Sequence, residues 1–258
     1  VRDPWRAHPL AWIHRVEARA IARELSVPLI SCSNDLPDGK LLLRLSDPVM
    51  RKVVKEIRVP YRGPGSAALE RCYDKYEAHR IVTAGGLETP ETTLASAIRH
   101  PPAPLVLKPR RGSDSIGVRV VKAIPADKRN DDHIVQERVH GEEFTVALYR
   151  DRVGVPLRIY LPPGTPYSFL RKYLLRPRCA ALKQGPLVKP IQDAALRIGG
   201  LLGVDWAARV DMILETATGR LRFLECDAAP LVGPDSAFAA SFAAAGVARA
   251  TQLAWLCE

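Results

Sequence analysis

The sequence predicts an α/β (α+β) fold divided into more than one compact unit, and three stretches carry that prediction. Leu10–Leu25 places Ile13, Val16, Ala20, Ile21 and Leu25 at helical spacing. Pro104–Lys122 reads as a strand, a glycine- and serine-rich loop and a return strand. Ala207–Glu215 and Arg220–Cys226 read as neighbouring strands joined by Thr216-Ala-Thr-Gly219, in which Gly219 supplies the positive φ of the turn.

Taken in order, residues 1–73 form a small α/β unit, short for an independent enzyme domain. After the first helix, Asp35-Leu-Pro-Asp-Gly39 is a turn and Lys40–Leu45 a short strand. Asp47 caps, and Pro48 opens, a helix running towards Ile57, since proline lacks only an N–H that the first helical turn leaves unused. Pro60–Pro64 is loop. The second unit, residues 74–137, opens with a helix through Tyr76–Thr83 that Gly85-Gly86 stops. Glu88-Thr-Pro90 leads into another helix, Pro90–Arg99, with Thr89 as its cap. Pro104–Pro109 is a strand ending in Lys108, Arg110–Gly117 is the hairpin loop, and Val118–Lys122 returns. His133–Glu137 is a strand that runs into the connector Arg138-Val-His-Gly141. Residues 138–258 form the third unit, with Glu142–Leu148 as a strand and the acidic hairpin towards its end.

The chemistry is concentrated in that hairpin. Alternate residues of a strand share a face, so Arg209 goes with Asp211 and Glu225 with Asp227. Antiparallel pairing would bring three carboxylates and a guanidinium together. Acids that close repel unless a cation sits among them, and hard oxygen ligands suit Mg²⁺. The competing reading, a solvated strand edge, ranks second because Glu225 and Asp227 follow the apolar Leu221, Phe223 and Leu224. The 110–117 loop offers backbone N–H groups and hydroxyls that can fold over phosphates, and Lys108 stands just before it. A flat base can bond to backbone at the 138–141 connector, with Glu143 placed for a ribose hydroxyl. Taken singly, Glu137 and Glu143 read as surface acids at strand ends.

Composition narrows the classes. The 258 residues are 47% hydrophobic and 26% charged, ordinary for a globular protein, and no apolar run reaches the length of a membrane span. Val1-Arg-Asp-Pro-Trp5 does not read as a signal peptide. The five cysteines lie far apart without a CxxC pair, which argues against zinc and for a reducing, cytoplasmic setting. The formal charge of +10 favours anionic partners. No basic run interleaved with aromatics supports nucleic acid, so phosphate-bearing small molecules are preferred.

From about Cys72 to the end, the order of motifs resembles the ATP-grasp superfamily and, within it, the D-alanine–D-alanine ligases. The carriers are Asp74-Lys75, Lys108-Pro109, Gly112-Ser-Asp-Ser-Ile-Gly-Val118, Gln136-Glu137, Gly141-Glu-Glu-Phe-Thr-Val146, Lys172-Tyr173, Arg209-Val-Asp211 and Glu225-Cys-Asp227-Ala-Ala-Pro230. The resemblance implies an ATP-grasp fold with a shortened N-terminal α/β domain and an ATP-dependent carboxylate–amine ligase. In that chemistry a carboxylate attacks the γ-phosphate of ATP, and an amine then displaces phosphate from the acyl phosphate. By position, Lys75 and Lys108 would contact phosphates, and Ser113 and Ser115 would lie in the phosphate lid. Glu137, Arg138 and Val139 would flank adenine, and Glu143 would hold the ribose. Lys172 would face the γ-phosphate from the Thr165–Arg178 loop, a second candidate lid. Asp211, Glu225 and Asp227 would hold Mg²⁺, typically two ions, while Arg209 would stabilise the tetrahedral intermediate and Ser236 bind the acceptor's carboxylate. Small amino-acid-like substrates and a homodimer are implied in the same way.

Three departures bear on substrate. Asp227 stands where the family usually has Asn. Pro230-Leu231 replaces a Pro-Gly whose glycine N–H helps bind the intermediate. The family's Glu near the N-terminus, which holds the first amino acid's ammonium, has no clear counterpart in Trp12-Ile-His-Arg-Val-Glu17. The favoured reading is therefore a ligase of specialised metabolism. Its alternatives are an authentic D-alanine–D-alanine ligase of cell-wall synthesis, a nucleotide binder without turnover, and a nucleic-acid-binding module resting on charge alone.

Overall fold

The computed structural model describes residues 11–29, 41–45, 47–98, 104–113, 115–160 and 178–258. The turn expected at Asp35–Gly39 lies outside them, as do Lys172, Tyr173 and nearly all of the Thr165–Arg178 loop. Helices α1 (Ala11–Leu25) and α2 (Asp47–Glu56) belong to the N-terminal unit, with a two-residue parallel pair, β1 (Leu41–Leu42) and β2 (Tyr61–Arg62). Next come α3 (Ser66–Tyr73) and α4 (Lys75–Ala84). A smaller antiparallel sheet follows, made of β3 (Thr92–Leu94), β4 (Leu105–Pro109), β5 (Arg119–Val121) and β6 (His133–Glu137), in the order β3-β6-β4-β5. The larger antiparallel sheet holds β7 (Gly141–Tyr149), β8 (Arg152–Val153), β9 (Leu157–Tyr160), β10 (Arg178–Ala181), β11 (Ala207–Glu215) and β12 (Leu221–Asp227). Its order is β10-β9-β7-β11-β12, with β8 paired to β7. Helix α5 (Val188–Leu202) precedes β11, and α6 (Ala237–Ala244) and α7 (Arg249–Cys257) follow β12.

The period of two along β7 and β11 decides which side of the large sheet becomes core and which becomes site. Phe144, Val146 and Leu148 of β7, with Ala208, Val210 and Met212 of β11, pack against α3, α4 and α5. The alternate residues change character along the strands. At one end Ala147, Tyr149 and Ala207 pack against Ile21 of α1, Phe238 and Phe242 of α6 and Leu253 of α7. At the other end the same face carries Glu143 and Thr145 of β7 and Arg209 and Asp211 of β11, with Thr145 opposite Asp211 and Glu143 opposite Ile213.

The hairpin forms as the sequence suggests, with Gly219 at φ +67°, but with an irregularity. The register jumps from Asp211↔Glu225 to Met212↔Phe223, so Leu224 is an extra residue on β12. This bulge shifts the phase of the strand. Phe223 and Cys226 both turn to the helical core, and Glu225 is released to the opposite face.

Two expectations are corrected. Pro90–Arg99 does not form a helix: Thr92–Leu94 is a strand paired with Ile134–Gln136, followed by a turn at Ala95–Ala97. The two adjacent threonines are stiff at χ1 and suit a pleated edge, and that edge is available along β6. Pro60–Pro64 is not all loop, because Tyr61-Arg62 pairs with β1. Helix α3, which the sequence reading passes over, buries Ala68, Leu69 and Cys72 and starts at Gly65. A side chain at Gly65 would collide with the Asp205 carboxylate, which accepts the Gly65 N–H at 3.0 Å.

Candidate functional site

On β4, Leu105 and Leu107 enter the small sheet's own core, so Val106 and Lys108 face away from it, beside Gln136 of β6. Across from them stand Glu143 of β7, Asp211 and Ile213 of β11 and Glu225 of β12. Between the two sheet faces lies a cleft of about 370 Å³. The 110–117 loop contributes Ser113, Ser115, Ile116 and Gly117's neighbour Val118 to its lining, and the connector Glu137-Arg138-Val139-His140-Gly141 closes the end where the sheets meet. Ser115 holds φ +58° without being glycine, a cost usually tolerated where a loop has a task. Gly117, at φ +78°, also passes too close to Pro109 for a side chain.

One end of the cleft is basic. The Lys75 ammonium donates to the Gly112 carbonyl, and the Lys75 N–H donates to the Arg110 carbonyl at 2.9 Å. Asp74 ties the same elements together. It caps α4 by accepting the Glu77 N–H at 3.2 Å, and accepts Arg110 Nε and Arg111 Nη2 at 2.9 Å. Burial would raise the Asp74 carboxyl, but the Arg110 hydrogen bond and both arginine charges prevail and hold it low. Asp74→Ala removes the cap and leaves Arg110, only 21% exposed, without that carboxylate. The expected loss is about 2 kcal/mol in urea unfolding, with weaker nucleotide binding because the loop loses its anchor; unchanged stability would show that the cap is dispensable.

Lys108 is partly buried and donates to Gln136 Oε1 at 2.6 Å. Burial lowers its pKa to about 8, with Lys75 adding to the effect and Glu225 and Glu143 opposing it. Since only the protonated amine attracts phosphate, nucleotide affinity is expected to be flat below pH 8 and to weaken above it. Calorimetry from pH 6.5 to 9.5 checks this, and Lys108→Met should abolish the alkaline limb.

The other wall is acidic. Asp211 and Glu225 are register partners across the hairpin. Asp211 accepts the Thr145 hydroxyl at 2.6 Å and Arg209 Nε at 3.1 Å. Arg209 stands opposite Asp227 in register and 3.9 Å from its carboxylate, while Asp227 also accepts the Ala229 N–H at 3.0 Å. The hairpin thus brings Asp211 and Glu225 together in the cleft and places Asp227 in an adjoining recess of about 40 Å³, shared with Lys75, Gly112, Ser113 and Glu225. Among the described residues no three acidic, histidine or cysteine side chains make a complete metal cage. Mg²⁺ does not ask for one, since it takes one or two carboxylates with water and phosphate oxygens. Burial and the charges of Asp211 and Glu225 push the Glu143 pKa up to about 7. A divalent cation would relieve that crowding, so the donor set fits Mg²⁺.

Glu137 accepts Arg222 Nη1 at 3.1 Å, and the same guanidinium donates to Glu215 at 2.7 Å. Arg138 and Val139 line the cleft beside it. Ser236 lines neither cavity: its hydroxyl accepts the Ala239 N–H at 3.1 Å as the cap of α6 and donates to the Gly233 carbonyl at 2.6 Å. The structure adds residues that the sequence reading left without a role. Gln136 touches Lys108, and Arg222 braces Glu137. Glu17 is buried and accepts Arg44 at 2.7 and 3.2 Å, Gly233 N–H at 2.7 Å and Val232 N–H. A buried acid paired with an arginine leaves a sequence signal only once its partner is known.

Comparison with known proteins agrees with this architecture. A family model described as ATP-grasp domain matches residues 72–157. The D-alanine–D-alanine ligase of Polynucleobacter asymbioticus is 27% identical over 81% of this chain and 68% of its own length. That of Aquifex aeolicus is 26% identical over 84% of this chain and 79% of its own. The D-alanine–D-alanine ligase from Bacillus anthracis complexed with ATP shares the fold at a TM-score of 0.75 and 17% identity, covering 97% of this chain and 93% of that one. Two antiparallel sheets facing each other across a cleft, with this match, define an ATP-grasp protein, an ATP-dependent carbon–nitrogen ligase by class. Within that superfamily the chain is similar to the D-alanine–D-alanine ligases. No described helix is long and apolar enough to cross a membrane.

Proposed function

We propose that the chain joins a carboxylate to an amine at the expense of ATP, with Mg²⁺, making an amide or peptide bond between small amino-acid-like substrates in the cytoplasm. The observation that carries this reading is the segregation of like charges across one cleft. Lys75 and Lys108 crowd each other at one end, and Glu143, Asp211 and Glu225 crowd one another on the facing wall. A triphosphate with a divalent cation complements both, and phosphoryl transfer needs little beyond such positioning and neutralisation.

In this reading Lys75 and Lys108 hold phosphates under the Ser113–Ser115 loop. Glu137, Arg138 and Val139 border the base, and Glu143 takes the ribose. Asp211 and Glu225, with Asp227 at the recess, hold Mg²⁺, which supplies charge neutralisation at the phosphates. Arg209 is fixed between Asp211 and Asp227 and turns its charge towards oxygens that become negative during acyl transfer. Closure of the 110–117 loop excludes water, which would otherwise hydrolyse the acyl phosphate. By the resemblance, Lys172 would serve the γ-phosphate, and Ser236 would receive the acceptor's carboxylate. The test is an ADP-release screen over carboxylates and amines with and without Mg²⁺. No Mg²⁺-dependent release with any pair, despite measurable ATP binding, would leave a nucleotide binder without turnover.

A further inference from the structure

We infer that Gln136 is a positioning residue that aims Lys108 along the cleft and keeps it out of the acidic wall, an inference that rests on the nucleotide reading of the site. Gln136 is 2% exposed and lies on β6 opposite Val106, diagonal to Lys108 on β4. Its amide has only one workable orientation. An ammonium is a pure donor, so Oε1 must face Lys108, at 2.6 Å. The NH₂ then faces Thr92, whose hydroxyl accepts it at 2.9 Å and donates onward to the Pro90 carbonyl at 2.8 Å.

The other side of the amide is closed by His79, which is 3% exposed. Its Nε2 lies 3.0 Å from the Leu224 carbonyl and 3.0 Å from Gln136 Nε2, while Nδ1 has no partner among the described residues. A proton on Nε2 serves the Leu224 carbonyl, whereas a proton on Nδ1 leaves Nε2 to accept from the Gln136 amide. Burial first, then the charge of Lys108, lowers the His79 pKa to about 3, so the ring adds no cation beside Lys108. Lys108 and Thr92 therefore fix the orientation of the Gln136 amide, with His79 packed against it.

The need for such a hold follows from the surroundings. Lys108 has a flexible stem and is drawn by Glu225 and Glu143 across the cleft. A salt bridge there would cancel the charge that the phosphates require. A neutral acceptor on the lysine's own sheet holds the ammonium without cancelling it.

The experiment measures Kd for metal-free ADP and for adenosine by calorimetry or by competition. Gln136→Leu is expected to weaken ADP about tenfold, the loss typical of a hydrogen bond to a charged group, while adenosine changes less than about twofold, because Lys108 acts on phosphate alone. Lys108→Met should show the same selectivity, and the double variant should be no worse than Lys108→Met, as coupled sites are not additive. If Gln136→Leu does not fold, Gln136→Asn, which keeps the amide but shortens its reach, should show the same loss of ADP alone. An effect of Lys108→Met without one at Gln136 overturns the inference and leaves the nucleotide reading standing. Equal losses for ADP and adenosine mean that Gln136 only supports the fold, which also overturns it. Unchanged ADP affinity in Lys108→Met would reject the nucleotide reading itself.

Discussion

Glu225→Ala is expected to lower Mg²⁺-dependent turnover by on the order of 10²–10³-fold, the scale of several kcal/mol of lost charge stabilisation, while the protein stays folded. The bulge at Leu224 explains why the two effects separate. It sends Phe223 and Cys226 into the helical core and Glu225 to the cleft beside Leu224. Truncating Glu225 removes no core contact, so the melting temperature should move by no more than a few degrees. Nucleotide without metal should bind the variant at least as well as the parent, since an acid facing the phosphates has gone. Asp227→Asn keeps an oxygen donor in the recess and the acceptor for the Ala229 N–H, and it should retain substantial activity. Steady-state ADP release at several Mg²⁺ concentrations distinguishes these outcomes. Full activity of Glu225→Ala would remove the metal assignment, and a dead Asp227→Asn would give Asp227 a duty other than ligation.

Much of this arrangement was legible because it is local. Gly219 marks the turn, and antiparallel pairing then brings the 209–211 and 225–227 stretches together, although the pairing of Asp211 with Glu225 itself needs the bulge. Lys108 at the end of an apolar strand and Asp74 before a helix carry their meaning within a few residues. What was hidden depends on partners distant in sequence. The bulge at Leu224 exists because Met212 takes Phe223 as its partner, and no property of Leu224 announces it. Thr92–Leu94 becomes a strand because β6 offers an edge. Gln136 reads as a polar residue in a strand until Lys108, 28 residues earlier, is placed against it. Likewise the unbroken acidic trio of the sequence resolves into a cleft pair and a recess because Arg209 lies between Asp211 and Asp227.

D-alanine alone is expected to be a poor substrate, at least tenfold below the preferred carboxylate and amine in phosphate release. Glu17 is the acid nearest to where the resemblance expects a ligand for the first amino acid's ammonium. Its side chain is 6% exposed and its two oxygens accept from Arg44 twice, from Val232 N–H and from Gly233 N–H. With Arg44 neutralising it, this carboxylate is a clasp between α1 and the loop after β12. Arg44 strengthens the clasp by donating to the Pro230 carbonyl at 2.5 Å. Leu231 lies within that clasped loop and adds a branched side chain where glycine would let backbone approach a substrate. An α-ammonium without its charge-assisted partner forfeits roughly 1.5–3 kcal/mol, and about 1.4 kcal/mol already makes a factor of ten. The preferred first substrate should therefore lack that ammonium or carry an additional anionic group, in keeping with the +10 charge of the chain. The comparison is phosphate release with D-alanine alone against a panel of other carboxylates, each paired with several amines. Turnover of D-alanine that matches or exceeds every other pair would refute the expectation and assign the chain to making D-alanyl-D-alanine.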